Sequence, residues 1–293
     1  MHSLHGRWYV YYAAAHPAQG NRSHRTYVLG GPPADQDPTL GRWEFLGPIR
    51  GMRDHWAIDG TVVELDHVLY FVYSGWPLDN HNDSDLIQQL FIFRMRDPVT
   101  ADSPTYLLCE PNERWERTGD HGINEGPQFL YALDNSWRGI VYSCSGSWTN
   151  EYKENTIQYV SGDPLNRASW RKGTRPLIQT RHKLGVGHGP WGPGHGSFIH
   201  VGNETIHIYH ATDSPTDGWE NRKARAQRVV FVNGQPDMGG EVGPMATSFQ
   251  QFVSGSAGYG GPATAQGGGQ GQGSGDHKKH GLRAWMHRIK DEL

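Results

Sequence analysis

The sequence predicts an all-β fold of the β-propeller type, built from repeated blades of short strands. One strand pattern recurs four times, and its aligned tyrosines, 61, 69 and 67 residues apart, are Tyr12, Tyr73, Tyr142 and Tyr209. Such a period, with several short strands in each repeat, is typical of blade arrays. The 13 Tyr, 11 Trp and 39 Gly residues suit strands and tight turns. Apolar residues at helical spacing occur only near the C-terminus.

Each repeat is predicted to hold three or four strands, separated by clusters of Gly, Pro, Asn and Asp. The repeats span residues 6–50, 56–108, 123–178 and 192–236. The predicted strands are Trp8–Ala14, Arg25–Leu29, Trp43–Leu46, Ile58–Leu65, Leu69–Ser74, Gln89–Arg94, Thr105–Cys109, Pro127–Leu130, Gly139–Ser145, Thr156–Val160, Trp170–Lys172, Ser197–Val201, Ile206–Ala211 and Ala226–Val232. The first repeat has only three of them, so we expect its innermost strand to be missing.

Three segments are expected along the chain. Residues 1–240 are predicted to form an incomplete propeller, and residues 241–275, rich in Gly, Gln and Ser, a flexible linker. Residues 276–293 form a basic tail with one apolar stripe at helical spacing, made of Leu282, Trp285, Met286 and Ile289. A helix this short is marginal alone. Docking of the tail to a partner or an anionic surface is the other interpretation.

Composition argues against two classes of protein. A formal net charge of −3 gives no electrostatic case for nucleic acid, and no stretch approaches the ~20 apolar residues of a membrane span. Cys109 and Cys144 can pair only if the fold brings them together, and two free buried thiols fit the sequence equally well. The closing Lys290–Leu293 matches an ER-retention signal. Without an apolar signal-peptide core near Met1, we interpret this match as chance.

Three polar residues lie where inner strands are expected to start. They are Asp59 in WAIDGTVVEL, Glu125 in INEGPQFLY and His195 in GPGHGSFIH, at 14, 17 and 14 residues before the tyrosine of their repeat. Equivalent depth in successive blades would bring them to one end of a central channel. Two carboxylates meeting there would have pKa values pushed apart, so that one could act as a general acid. Taken singly, each also fits a turn or a structural hydrogen bond.

These motifs resemble glycoside hydrolase family 43, and within it the exo-acting α-L-arabinofuranosidases. The resemblance covers roughly residues 3–240. The segments that carry it are GRWYVYYAA, WAIDGTVVELDHVLYFVYSGW, QQLFIFRMRDP, INEGPQFLY, VYSCSGSWTNEY, GPGHGSF and RAQRVVFVNGQPDMG. It implies a five-bladed propeller and an inverting mechanism on arabinan or arabinoxylan side chains.

The resemblance also implies roles for the three residues. Glu125 matches the general acid, Asp59 the aspartate that modulates the pKa of the acid, and His195 the channel histidine. Gly196 stands where the family commonly has Asn, which puts one polar contact in doubt. No cofactor is required, and a structural calcium ion or a water cluster is expected near His195. A zinc site of His182, His188 and His195 is not expected, because the spacing lacks a recognisable ligand pattern.

The resemblance implies that the catalytic base is absent from this chain. In the family the base is an aspartate of the first blade, and the similarity here begins after that blade. The aspartates at 35, 37 and 54 lie on loops and are poor substitutes. We therefore expect a truncated form of a secreted enzyme, with slowed hydrolysis because general-base assistance typically contributes ~10²–10⁴-fold.

Substrate choice stays open on the sequence alone. A β-xylosidase or endo-arabinanase on the same scaffold is one alternative, because loops at the channel mouth set specificity. A non-catalytic carbohydrate-binding propeller that kept its acid and lost its base is the other. Trp56 and Trp76 are candidates for stacking on a sugar ring, although packing within a blade explains either of them as well.

Overall fold

Antiparallel strands dominate the computed structural model of the chain. It describes residues 1–80, 84–180, 182–183, 186–187, 190–238 and 240–241. The strands are β1 His2–Leu4, β2 Arg7–Ala14, β3 Arg25–Pro33, β4 Glu44–Pro48, β5 Ala57–Leu65, β6 Val68–Gly75, β7 Ile87–Asp97, β8 Thr100–Ala101, β9 Tyr106–Cys109, β10 Arg117–Thr118, β11 His121–Tyr131, β12 Arg138–Cys144, β13 Lys153–Tyr159, β14 Trp170–Lys172, β15 Ile178–Gln179, β16 His182–Lys183, β17 Val186–Gly187, β18 Trp191–Val201, β19 Glu204–Thr212, β20 Lys223–Val232, β21 Gln235–Asp237 and β22 Gly240–Glu241.

The strands form four successive blades, as the repeat predicts. Blade A is β1-β2-β3-β4, blade B is β5-β6-β7 with β8 and β9, blade C is β11-β12-β13 with β10, β14 and β15, and blade D is β18-β19-β20-β21. A short parallel pairing between β11 and β7 joins blades B and C into one continuous sheet. The remaining short strands pair as β16 with β17 and as β15 with β22. The all-β, propeller-type fold class is therefore confirmed.

Apolar residues fill the spaces between neighbouring blades. The alternation along β6 shows how this works, because successive side chains of a strand point to opposite faces. Leu69, Phe71 and Tyr73 join the cluster between blades A and B, while Tyr70 and Val72 join the cluster between blades B and C. A third cluster lies between blades C and D and includes Leu130, Trp137, Val141, Tyr209 and Ala211. Apolar packing therefore stabilises each blade against every blade that lies beside it.

Two expectations need correction at the level of strands. Blade A does have an innermost strand, because His2–Leu4 pairs with β2 in the place that β5 takes in blade B. The strands β11 and β18 also begin several residues earlier than predicted, at His121 and Trp191. Bulged, glycine-containing sequence conceals these strand starts, because it lacks the apolar alternation used to find strands.

Other expectations concern residues outside the blades. Both cysteines are free and buried, at Cys109 and Cys144. The helical segments of the described residues are three short 3₁₀ turns, Gly20–Ser23, Arg114–Glu116 and Arg167–Ser169. Among these residues, no helix has the length and apolar character needed to cross a bilayer. The predicted linker and basic tail lie outside the described residues, except for the backbone at the end of β22.

The packing between blades A and B predicts the effect of a core truncation. Phe71 is fully buried, and its ring lies 5.2 Å from that of Tyr11 and 5.3 Å from that of Phe93. We expect Phe71→Ala to lower the free energy of unfolding by about 3–5 kcal/mol, because it leaves a cavity between two sheets. Urea denaturation followed by circular dichroism measures this. The control Leu40→Ala, at an 86% exposed residue, should change stability by no more than about 0.5 kcal/mol. Equal effects of the two changes would contradict the packing described here.

Candidate active site

The inner strands of blades B, C and D carry a β-bulge at the same place. In blade B, Asp59 and Gly60 lie between the pairs Ile58↔Ser74 and Thr61↔Val72, and so face one residue, Tyr73. Gly126 and Pro127 face Tyr142 in blade C, and His195 and Gly196 face Tyr209 in blade D. Two residues opposite one define a bulge. Three of the four aligned tyrosines, Tyr73, Tyr142 and Tyr209, therefore mark the positions of the bulges.

The first residue of each bulge has left-handed backbone geometry. The φ angles are +56° at Asp59, +56° at Gly126 and +50° at His195. This region costs a non-glycine residue of order 1–3 kcal/mol and is concentrated at functional sites. Asp59, Gly126 and His195 thus occupy equivalent positions in blades B, C and D. Glu125 lies one residue before that position in blade C.

The three bulges meet one another. The backbone N–H of Gly126 donates a hydrogen bond to Asp59 Oδ2 at 3.0 Å. Asp59 Oδ1 lies 3.8 Å from His195 Nε2. A Cβ atom at Gly126 would lie 3.2 Å from His195 Nδ1, so glycine permits this close approach. The structure therefore brings Asp59, Glu125 and His195 together, at the inner strands of three different blades.

Glu125 is set up to hold a proton near neutral pH. It is 8% exposed, and its pKa is raised to about 7, first by burial and then by the negative charge of Asp59. Three groups oppose this rise: Tyr152 donates its O–H to Glu125 Oε1 at 2.7 Å, and His195 and Arg222 act through positive charge. Burial of a carboxyl beside another carboxylate disfavours its ionised form, which is the state a general acid must avoid.

A row of side chains across blade C supports both Glu125 and the bulge of blade D. Glu125 pairs with Ser143, which in turn pairs with Glu154 on the next strand. Directly opposed residues point to the same face of a sheet. Ser143 Oγ accepts the backbone N–H of His195 at 2.7 Å, and Glu154 Oε1 accepts that of Gly196 at 3.0 Å. The row therefore fixes the backbone that presents His195 to Asp59.

Ser74 repeats this arrangement one blade earlier. It follows Tyr73 as Ser143 follows Tyr142, and its Oγ donates to the carbonyl of Asn124, directly before Glu125, at 2.9 Å. In two successive repeats the residue after the aligned tyrosine thus holds the inner strand of the next blade. The sequence could have identified this pair from the repeat alignment.

Close packing around position 196 explains why this chain has glycine there. A Cβ atom there would lie 1.9 Å from His207 Nε2 and 2.9 Å from Glu154 Oε1. The His207 ring is fully buried between Phe198 and Tyr209, whose ring centroids are 4.8 and 4.7 Å away. His207 Nε2 also lies 3.0 Å from Glu154 Oε2. A larger residue at position 196 has no room, because this buried pair fills the space.

Sequence reasoning missed three residues of the site. Tyr152 is 1% exposed and holds Glu125. The ring of His210 stacks on that of Tyr152 at 5.7 Å, and burial lowers the pKa of His210 to about 3, so it is neutral. The charge of Arg222 acts on both Glu125 and His210. His210 directly follows an aligned tyrosine, as Ser74 and Ser143 do. This place in the repeat was the one sequence feature that could have identified it. Tyr152 lies in the resembling segment VYSCSGSWTNEY but was not singled out there, and Arg222 carried no signal.

The two predicted stacking residues pack inside the protein. Trp56 is 4% exposed and Trp76 is 2% exposed, and their rings stack on each other at 4.8 Å with an angle of 3° between the planes. Trp56 Nε1 donates to the carbonyl of Asn21 at 2.8 Å. Packing within the protein therefore explains both tryptophans, and neither has a free ring face that could stack on a sugar.

Metal ligation is limited among the residues that the structure describes. They contain no group of three or more His, Cys, Asp or Glu side chains placed to hold a metal ion. One carboxylate and one imidazole, from Asp59 and His195, do not provide the six to eight oxygen ligands of Ca²⁺. The calcium ion expected near His195 stays a prediction. His188 and the side chain of His182 lie outside the described residues.

Residues 1–236 match Glycosyl hydrolases family 43. The chain belongs to this family. Curated relatives of this family 43 chain include an extracellular exo-alpha-(1->5)-L-arabinofuranosidase of Streptomyces avermitilis, 29% identical over 252 residues, and alpha-L-arabinofuranosidase B of Pyricularia oryzae, 28% identical over 248 residues. Both alignments cover 82% of this chain and 48% of the relative. The chain thus spans about half the length of these relatives.

Solved structures have the same fold as this family 43 chain. The α-L-arabinofuranosidase of Lactobacillus brevis aligns with a TM-score of 0.68 at 26% identity, over 83% of this chain and 75% of that one. A thermostable family-43 glycoside hydrolase aligns with a TM-score of 0.66 at 20% identity, over 83% and 73%. These neighbours are five-bladed β-propellers, which places the four blades described here in a propeller architecture.

The surroundings of Glu125 predict two opposite pKa changes. Asp59→Asn should lower the pKa of Glu125 towards its ordinary value of 4.5, because a negative charge is removed. Tyr152→Phe should raise it, because a hydrogen bond to the carboxylate is lost. Carbon-13 NMR titration of the glutamate carboxyl groups, with Glu125 assigned from Glu125→Gln, measures both. Asp134→Asn, in the turn that follows β11, is the control and should leave the value unchanged. Shifts of the same sign in both variants would contradict the assignment of causes.

The crowding at Gly196 predicts a coupled stability effect. Gly196→Ala should destabilise the protein by about 1–3 kcal/mol, because His207 is buried and cannot move aside. In a His207→Ala background the same change should cost less, since the colliding ring is absent. A double-mutant cycle of urea denaturation midpoints tests this. Equal costs of Gly196→Ala in the two backgrounds would show that His207 is not the obstacle.

Proposed function

We propose that this chain carries the acid half of an inverting glycosidase that releases terminal α-L-arabinofuranosyl residues from arabinan or arabinoxylan. The observation that carries the proposal is Glu125, a buried carboxyl kept protonated near neutral pH by burial and by Asp59. Family membership gives the reaction class, hydrolysis of an O-glycosyl bond. The names of the relatives, one of which is called extracellular, favour arabinofuranosides as substrates and secretion as the location.

Glu125 is assigned the role of general acid. Cleavage of a glycosidic bond leaves negative charge on the departing oxygen, and a carboxylic acid that protonates this oxygen lowers the barrier. With a pKa of about 7, Glu125 holds its proton below neutral pH, and activity that depends on the acid falls as the pH rises through that value. Tyr152 orients the carboxyl through its hydrogen bond to Oε1.

The role assigned to Asp59 is to raise the pKa of Glu125 through its negative charge, not to activate water. Its Oδ2 accepts the N–H of Gly126, and its Oδ1 faces His195. In the described part of the chain it is the carboxylate whose charge acts on Glu125. An inverting enzyme also needs a carboxylate base, ~6.5–9.5 Å from the acid. We assign no described residue to this role, and so propose that hydrolysis by this polypeptide is slow.

Turnover with a supplied nucleophile tests the proposal. Azide needs no base, so it can attack the anomeric carbon while the glycosidic C–O bond breaks and Glu125 gives its proton to the leaving oxygen. We expect azide to accelerate consumption of an α-L-arabino-oligosaccharide by at least tenfold, with a glycosyl azide of inverted configuration as the product. The ratio follows from the ~10²–10⁴-fold that a base contributes. Product analysis by NMR reads both rate and configuration.

Two variants sharpen this experiment. Glu125→Gln should abolish the azide reaction on an oligosaccharide, because its alcohol leaving group requires a proton. Glu64→Gln, at a glutamate whose side chain is 55% exposed, is the matched control and should react like the unmodified protein. Rapid hydrolysis by water without azide would overturn the proposed slow reaction. Binding of arabino-oligosaccharides without any turnover, with or without azide, would favour a carbohydrate-binding propeller instead.

A further inference from the structure

Two exposed tryptophans lie on loops at the end of the blades where the candidate site is found. Trp219 is 61% exposed and Trp148 is 37% exposed. Large indole rings left in water are costly, so an exposed cluster of them commonly marks a binding surface. Neither ring was singled out from the sequence, and neither belongs to the acid machinery described above.

The topology places both loops on the site's rim. Strand β12 ends at Cys144, which pairs with Asn124, the neighbour of Glu125. The loop that follows, residues 145–152, carries Trp148 and ends at Tyr152, which holds Glu125. In blade D, β19 ends at Thr212 opposite Trp191, four residues before His195. The loop after it, residues 213–222, carries Trp219 and Arg222.

The two rings form a fixed corner. Their centroids are 6.2 Å apart with an angle of 77° between the planes. Trp219 Nε1 donates to Ser147 Oγ at 3.0 Å, and Arg222 Nη2 donates to the carbonyl of Ser147 at 2.9 Å. Trp148 also packs edge-on against the ring of His121, 5.3 Å away. The rings are thus held in place before any ligand arrives, which reduces the entropy lost on binding.

Further contacts anchor the loop of Trp148. The N–H of Gly146 donates to Thr118 Oγ1 at 2.7 Å, and Thr118 Oγ1 lies 2.7 Å from Ser145 Oγ. A Cβ atom at Gly146 would lie 2.9 Å from the indole of Trp148. Glycine at this position therefore leaves room for the indole ring of Trp148.

We propose that Trp148 and Trp219 form a platform, here called the rim platform, that binds the sugar chain on the leaving-group side of the scissile bond. This inference rests on the proposed function. A general acid lies beside the leaving oxygen, so the leaving sugar chain passes on the side of Glu125. The platform is on that side, because His121 and the loop of Trp148 flank the start of Glu125's own strand. Flat aromatic rings bind the apolar C–H faces of sugar rings, while Arg222 offers donors to hydroxyl groups.

Arg222 links the platform to the acid. Its guanidinium holds the carbonyl of Ser147 between the two tryptophans, and its positive charge lowers the pKa of both Glu125 and His210. Arg222 therefore lies near both the rim platform and the acid.

Equilibrium binding tests the rim platform without requiring turnover. Isothermal titration of arabino-oligosaccharides of increasing length into Glu125→Gln protein gives the affinity, and Trp219→Ala and Trp148→Ala are introduced into that background. We expect each to weaken binding of the longer oligosaccharides about tenfold, and Trp219→Phe, which keeps a flat ring, to retain most of the affinity. Phe45→Ala, which removes a ring with the same 61% exposure on β4, is the control and should bind like the parent.

The outcomes separate the two proposals. If the parent binds and the tryptophan variants bind equally well, the rim platform is wrong and the proposed function stands. If the parent binds no arabinose-containing oligosaccharide, the proposed function fails and the platform fails with it. Thermal denaturation of each variant shows whether it is folded. Should an alanine variant unfold, the comparison of Trp219→Phe with an otherwise identical Trp219→Leu variant decides between a flat ring and simple bulk.

Discussion

The site depends on one backbone constraint, the bulge that the inner strands of blades B, C and D each make opposite the aligned tyrosine of their repeat. The bulge places two residues where the neighbouring strand has one, and turns the first of them into left-handed geometry at Asp59, Gly126 and His195. That geometry costs energy at Asp59 and His195. It persists because the bulges hold one another and because Ser143 and Glu154 accept the backbone N–H groups of blade D. A change that disrupts the bulges should therefore disturb both the inner strands and the candidate site.

The same constraint explains the electrostatics. Because the Gly126 N–H satisfies Asp59, that aspartate stays in place as a charge beside Glu125. Burial then makes ionisation of Glu125 unfavourable, and Tyr152 moderates the effect. A carboxyl that shares a buried site with a second carboxylate is difficult to accommodate in a stable core. Its presence at the meeting point of three blades supports the acid role that we propose for Glu125.

Sequence patterns predicted most of the fold and the centre of the site. The aligned tyrosines gave the blades, since a regular repeat of apolar alternation survives in the sequence. The repeat did not predict the starts of β11 and β18, because glycine and bulges remove the apolar alternation there. It also did not predict the short strand β1 of blade A. Asp59, Glu125 and His195 were singled out because they lie 14, 17 and 14 residues before the aligned tyrosine of their repeat. Tyr152 and Arg222 were not, because they come from loops whose position is set by tertiary contacts.

A crystal structure of Glu125→Gln protein soaked with an arabino-oligosaccharide tests the central claim most directly. The account predicts a terminal arabinofuranosyl ring at the meeting point of the three bulges, with the side chain of residue 125 within hydrogen-bond distance of the glycosidic oxygen. It also predicts left-handed backbone at Asp59 and His195. A sugar bound elsewhere on the blades, or regular unbulged inner strands that leave these side chains apart, would contradict it.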